Sequence, residues 1–321
     1  MFYLDEQSIQ EIGVDWEKLV DVIEEAAKCL GQEDFAQPIK PYLRYRDLKN
    51  RIIAMPAFIG GNFDMAGIKW IASFPDNIHK GIPRAHSVVI LNKAATGEPV
   101  AIINTALLSI IRTAAVSGLM IRYFNKARPV TDVNLGIIGW GPIGQNQLKM
   151  CMSLLGDKIS KISIYDLRKI DTSTIDFAPR DKIVAVENWQ QAYEDADIFI
   201  TATVSKAPYI DKPPKKGSLQ LNVSLRDYKT DIYDYVKDSI IVDNWEEICR
   251  QKTDIEMMYL EKGLKKEQTK SIVDMVTDNC MKDYPADVPI MFNPMGMAVF
   301  DMAVGTYYYK EGKAKGIGQE L

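Results

Sequence analysis

The sequence predicts an α/β protein of two parts, a Rossmann-type doubly wound parallel sheet and, ahead of it in the chain, a separate α+β domain. Three observations carry this prediction. Residues 135–148 read LGIIGWGPIGQNQL, in which Gly139, Gly141 and Gly144 make G-x-G-x-x-G between the apolar run VNLGII (133–138) and a segment with apolar residues at helical spacing. A second apolar run, KISIY, ends at Asp166, about 20 residues beyond the glycines, where a dinucleotide fold carries its ribose-binding carboxylate. Upstream of the loop, short strand-like segments follow one another without the β-α alternation found downstream, so they belong to a different domain.

In residues 16–30 (WEKLVDVIEEAAKCL), Leu19, Val20, Ile23, Ala26, Ala27 and Leu30 share one helical face, which predicts an amphipathic first helix. Strands are expected at 51–55, 66–74, 86–91 and 100–103, separated by the turn signals IGGN (59–62) and TGEP (96–99). Residues 105–124 (TALLSIIRTAAVSGLMIRYF) form a long, alanine-rich helix that carries the chain into the nucleotide domain. There, the helix after the glycines runs from Pro142 through Ile143, Leu148, Met150, Cys151, Leu154 and Leu155, with Gly156 as its stop. Further strands start near 161, 182, 197, 218 and 239, in the rhythm of a doubly wound sheet. After Asn293-Pro294-Met295-Gly296, a last helix from Met297 to about Lys310 returns to the first domain. The expected division is residues 1–112 with 297–321, and residues 113–296.

With 321 residues, 47% of them hydrophobic, the chain can bury a sizeable core in two domains. Its net charge of −4, with acids and bases interspersed, gives no reason to expect nucleic acid or an anionic membrane as partner. No apolar run is expected to reach membrane-spanning length, and MFYLDEQSIQEIG lacks the basic-then-apolar order of a signal peptide, so the default location is cytoplasmic. Cys29, Cys151, Cys249 and Cys280 are scattered, and the only histidines are His79 and His86, so neither a metal site nor structural disulfides are expected. His86 is expected to be packed or hydrogen-bonded in its strand rather than catalytic, and His79 solvated in a loop.

The glycine pattern has a chemical reading. The first glycine permits a tight bend, the second lets backbone approach a pyrophosphate, and the third lets helix and strand pack closely. With Pro142 and Ile143 they form a helix start whose N–H groups can bind phosphate oxygens. Asp166 would bond the ribose hydroxyls and repel a 2′-phosphate, which favours NAD over NADP, although Arg168 could pair with that phosphate. Thr201, Ala202 and Thr203, at the end of the fourth strand of this domain, would let the cofactor lie close to backbone; such a sequence also suits any strand end. Ser224, after the next strand, is placed with them.

The segments IIAMPAFIGG, GIKWIASFPDN, VVILN, TGEPVAIINTALLSIIRTAAVSG, GWGPIG and NPMGMAVFDMA together resemble the ornithine cyclodeaminase and mu-crystallin family over almost the whole chain. The likeness is greatest to the branch of N-(2-amino-2-carboxyethyl)-L-glutamate dehydrogenases, through KPYLR, RIIAMP, GIKWI, VVILN, RTAAVS and NPMGMA. The resemblance implies that the first domain binds substrate and dimerises, that the protein is a homodimer, and that an amino acid conjugate is held near the nicotinamide of NAD. It implies substrate-binding cations at Arg44, Lys69 and Arg112, a phosphate neighbour at Thr113, and a contact to the nicotinamide end at Asn293, which could equally be a turn residue before proline. One departure matters. With Lys229-Thr230-Asp231 aligned to the family's Lys-Thr-acid motif, Leu225 stands where the cyclodeaminases carry a catalytic Asp, and Asp227 follows two residues later.

An amino-dicarboxylate needs fixed cations, and arginine holds carboxylates with a bidentate fork. Lys69, among apolar strand neighbours, and Arg112, in an apolar helix, are poorly explained as surface charges, whereas Arg44 beside Tyr45 and Arg46 is equally compatible with the surface. In the implied reaction, hydride leaves the glutamate Cα, a C=N bond forms, and water splits the imine into 2-oxoglutarate and 2,3-diaminopropionate. Lys69 is the first candidate for the base, with carboxylate binding as its alternative role; Asp227 is the second candidate. A PLP-dependent synthase is the implied pathway neighbour, in a siderophore or antibiotic pathway. Other readings of the same fold are ornithine cyclodeaminase, alanine dehydrogenase or ketimine reductase, and a non-catalytic nucleotide-binding protein.

Overall fold

In the computed structural model, which describes residues 1–321, the chain divides into two units, Met1–Arg112 with Gly296–Leu321 and Thr113–Met295. The first unit opens with strand β1 (Phe2–Asp5) and helix α1 (Glu6–Ile12), capped by the Asp5 carboxylate, which accepts the Ser8 N–H. Helix α2 (Trp16–Gly31) buries the predicted face, Leu19, Val20, Ile23, Ala26, Ala27 and Leu30. Two short strands, β2 (Phe35–Ala36) and β3 (Tyr42–Leu43), precede a meander of β4 (Arg51–Ile59), β5 (Met65–Ser73), β6 (Ala85–Lys93) and β7 (Pro99–Asn104). Strand β1 is an addition to the sequence reading: its four residues give too short a pattern to stand out, yet it pairs in parallel with β7.

Helix α3 (Leu107–Ala127) crosses the divide between the units. The expectation that no apolar run reaches membrane-spanning length is corrected here. By length and composition α3 could cross a bilayer, because Arg112 and Arg122 do not offset the alanine, leucine and isoleucine around them; 72% of its apolar window is buried inside the fold.

The second unit continues with β8 (Val133–Ile138), α4 (Pro142–Leu155), β9 (Ile159–Tyr165), β10 (Ile183–Ala185), α5 (Trp189–Tyr193), β11 (Ile198–Thr201) and β12 (Leu219–Asn222). It is completed by α6 (Tyr233–Val236), β13 (Ile240–Val242), α7 (Trp245–Ile248), α8 (Asp254–Lys262), β14 (Lys270–Ser271), α9 (Ile272–Asp278) and β15 (Ile290–Asn293). All its strands pair in parallel, in the order β10-β9-β8-β11-β12-β15-β13-β14. The first five obey the dinucleotide-fold order, with the glycine turn after the central β8. Strand β15 is the second addition: although last in sequence, it is inserted between β12 and β13 with all four residues buried. Its apolar run is shorter than a recognisable strand pattern and lies beside the turn signal Asn-Pro-Met-Gly.

The chain then returns to the first unit through α10 (Ala298–Lys315), ended by Gly316 at φ 67°, and β16 (Gln319–Glu320), which pairs with β1. The sheet runs β16-β1-β7-β6-β5-β4-β2, with β3 beside β4. Its two faces differ. Met55, Ala57, Ile59, Met65, Lys69, Val89 and Leu91 alternate onto one face and are buried, whereas Phe58, Ile68, Val88 and Ile90 on the other are only half-buried and Trp70 is 42% exposed. His86 lies exposed on that open face rather than packed, because strand alternation turns it away from the closed one.

Candidate active site

Lys69 falls on the closed face of its sheet because residues at two-step spacing share a face; its direct neighbours across the sheet are Met55 and Val89. An ammonium buried among such residues needs a partner. Asp301, in the first turn of α10, supplies it: Lys69 Nζ lies 2.9 Å from each carboxylate oxygen and 3.1 Å from Ser109 Oγ. Arg112 Nε donates to Asp301 Oδ1 at 2.9 Å. Exposures of 1% for Lys69, 6% for Arg112 and 0% for Asp301 make this a buried triad. Lys40, also buried, donates to the Gly296 carbonyl at 2.8 Å.

Burial pushes the Lys69 ammonium down to about 7; Arg112 and, more weakly, Lys40 push the same way, while Asp301 opposes them. For Asp301, burial works to raise the carboxyl pKa, but Arg112 and Lys69 outweigh it and hold it below the usual carboxylate range. The positive charges of Arg112 and Lys40 are both felt at Lys69, a setting that favours an anionic ligand over a cationic one.

Of the cations expected from sequence, Lys69 and Arg112 come together on Asp301. Arg44 Nη1 donates to the Leu48 carbonyl at 2.6 Å, and its guanidinium lies 5.6 Å from the centre of the Tyr42 ring. Lys40, the first residue of KPYLR, is near enough for its charge to act on Lys69. Asp301, Ser109 and Lys40 all escaped the sequence reading, though an acid alone between Phe300 and Met302 was a usable signal.

In the second unit the three loop glycines separate by cause. Gly139 has φ 93°, and a Cβ there would come within 2.4 Å of the Ala202 carbonyl oxygen; at Gly144 it would come within 1.9 Å of the Gly139 carbonyl oxygen. At Gly141 a Cβ would meet nothing within 4 Å. Its lack of a side chain therefore serves something outside the chain, and a pyrophosphate fits. Gly141 caps α4 without a side-chain bond, so the N–H groups of Ile143 and Gly144, behind Pro142, face that space as helix-start donors. Asp166 Oδ2 accepts the Trp140 N–H at 2.7 Å, and Oδ1 accepts the Arg168 N–H at 2.9 Å and its Nε–H at 3.2 Å. Burial would raise this carboxyl, but the bonds from Arg168 and Trp140 prevail and keep it ionised. Thr113 precedes Ser117 by one turn of α3, and the Ser117 hydroxyl accepts from Gln147 of α4 at 3.0 Å.

The strand ends expected to approach the cofactor are tied to one another. Asn222 Nδ2 donates to Asn293 Oδ1 at 2.8 Å and to Asp254 Oδ2 at 2.9 Å, while Thr201 Oγ1 donates to Asn222 Oδ1 at 3.2 Å. Thr203 Oγ1 donates to Asp227 Oδ1 at 2.5 Å, and the Ser224 hydroxyl to Asp227 Oδ2. Asp227, expected as a possible base, is fully buried with both oxygens occupied by these hydroxyls; burial raises its carboxyl pKa, and Ser224 and Thr203 counter it. Asp254, unforeseen, also accepts the Asp227 and Tyr228 N–H groups and is pushed up to about 7 by burial. Leu225 holds φ 67° and is buried, a left-handed conformation that branched side chains rarely adopt.

Comparison with known proteins identifies relatives of the chain. The family model "Ornithine cyclodeaminase/mu-crystallin family" matches residues 4–316. The chain is 34% identical to N-((2S)-2-amino-2-carboxyethyl)-L-glutamate dehydrogenase of Staphylococcus aureus, with all of this chain and 98% of that one covered. Among solved structures it resembles Δ(1)-pyrroline-2-carboxylate reductase of Thermococcus litoralis in complex with NADH and L-proline (TM-score 0.87, 21% identity, both chains fully covered). It also resembles an archaeal alanine dehydrogenase dimer with bound NAD (TM-score 0.83, 22% identity, 100% and 98% covered).

Proposed function

The chain belongs to the ornithine cyclodeaminase/mu-crystallin family, and from that premise we propose that this NAD-dependent amino acid oxidoreductase cleaves N-(2-amino-2-carboxyethyl)-L-glutamate to 2-oxoglutarate and L-2,3-diaminopropionate. The observation that carries the reading is the buried Lys69–Asp301–Arg112 triad. Gly139, Gly141, Gly144 and Asp166 are the residues that hold NAD, which when bound supplies the two-electron acceptor. Arg112 grips a substrate carboxylate. Asp301 and Ser109 fix the direction of the Lys69 amine, whose neutral fraction near pH 7 takes the proton from the substrate's secondary amine as the C=N bond forms. Water then adds to that bond, and the carbinolamine so formed divides into the ketone and the free amine.

Leu225 supports oxidation over cyclodeamination, because it offers no carboxylate where ring closure would need one. The half-open apolar sheet face, with Phe58, Ile68, Trp70 and Ile90, supports a homodimer built on that face. A PLP-dependent synthase would supply the conjugate, and a siderophore or antibiotic pathway in the cytoplasm would use the product. The test is incubation of the purified protein with the conjugate and NAD. Reduced cofactor should accumulate in step with 2-oxoglutarate detected by mass. Turnover of alanine or ornithine alone, with the conjugate inert, would replace this reading with one of its alternatives.

A further inference from the structure

The face that carries Lys69 continues into a second row. Ile53, Ile71 and Ser87 are register partners across β4, β5 and β6, two residues along from the row of Met55, Lys69 and Val89, a step of about 7 Å along the strands. Ile53 and Ile71 are half-buried. Ser87 is only 4% exposed, and its Oγ is buried without a hydrogen-bond partner. A buried hydroxyl left without an acceptor is costly, and alanine would have suited an apolar row, so the serine calls for an acceptor from outside the chain.

The acceptor's charge follows from the surroundings. The charges of Arg112 and Lys40 already work against a positive charge at Lys69, so a ligand ammonium is disfavoured beside them and a carboxylate favoured. Ser87 lies one strand across and two residues along from Lys69, so a ligand whose amine is held at Lys69 would run its side chain past Ile71 towards the Ser87 row. We infer that Ser87 donates a hydrogen bond to the γ-carboxylate of the glutamyl unit and so selects an acidic side chain over an apolar one. This rests on the substrate reading above and adds the residue that distinguishes the side chain.

Binding can be measured apart from turnover by titrating the NADH-loaded protein, which cannot oxidise substrate, in a calorimeter. The two ligands are N-(2-amino-2-carboxyethyl)-L-glutamate and its norvaline counterpart, in which a methyl replaces the γ-carboxylate. The wild-type protein should bind the first at least about tenfold more tightly, Ser87→Ala should lose about tenfold for the first and nothing for the second, and Ser87→Thr, which keeps the hydroxyl, should retain the preference. An unchanged ratio in Ser87→Ala, or no preference in the wild type, overturns the inference and leaves Ser87 as a structural residue. If the preference exists and Ser87→Ala abolishes it while no conjugate is oxidised with NAD, the subsite stands and the proposed reaction falls.

Discussion

Lys69 has the burial and the partners to make a base from an ammonium. With its pKa pushed down to about 7, the neutral amine gains as pH rises through that value, so kcat should climb through about pH 7 and level off above it. Lys69→Met should remove that limb and lower kcat by about 10²–10⁴-fold while NAD still binds; a change in KM alone would restrict Lys69 to carboxylate binding. Asp301 opposes the downward push, so Asp301→Asn should move the limb to lower pH. The same change leaves Lys69 and Arg112 buried without their carboxylate, a loss on the order of 3–5 kcal/mol in denaturant titration. The two cations were legible in the sequence because each stands in an apolar strand or helix. Asp301 has the same signature, but the link to Lys69 is tertiary and no local pattern reveals it. The isolation of Ser87 was equally hidden, since a serine in a strand looks satisfied until its neighbours are known.

Among elements, the β8–α4 turn makes the sharpest distinction between folding and binding. Gly141→Val should leave the fold and thermal midpoint nearly unchanged and abolish NAD binding in calorimetry, because its Cβ enters only the space outside the chain. Gly144→Val should instead fail to fold or melt far earlier, because the Cβ meets the Gly139 carbonyl. At the end of β9, the ionised Asp166 should favour NAD over NADP in kcat/KM, and Asp166→Ser should narrow the ratio; equal use of both by the wild-type protein would contradict this. This turn was legible because strand, glycines, helix and acid each leave a local signal at set spacing. Strand β15 leaves almost none, since four apolar residues beside a turn suit a loop equally well, and its place in mid-sheet is fixed by pairing with β12 and β13.

For the whole molecule, the half-open face of the first unit's sheet makes the assembly state a measurable prediction. Trp70→Glu places a charge in the middle of that face; in light scattering it should shift the mass from dimer towards monomer while the circular dichroism stays the same. A wild-type protein that runs as a monomer at micromolar concentration would contradict the dimer.

The pairing of Lys69 with Asp301 spans 232 residues. Ribosomes add about 5–20 residues per second, so roughly 10–50 s separate the synthesis of the lysine from that of its carboxylate. Throughout that interval the nascent first unit carries Lys69, and then Arg112, with no Asp301 to neutralise them. The parallel sheet of the second unit reaches its last strand before Asp301 is made. Strand β15, which fills the middle of that sheet, is itself made just before Asp301, so vectorial synthesis leaves both the closing of the dinucleotide fold and the charge balance of the triad to the end of translation.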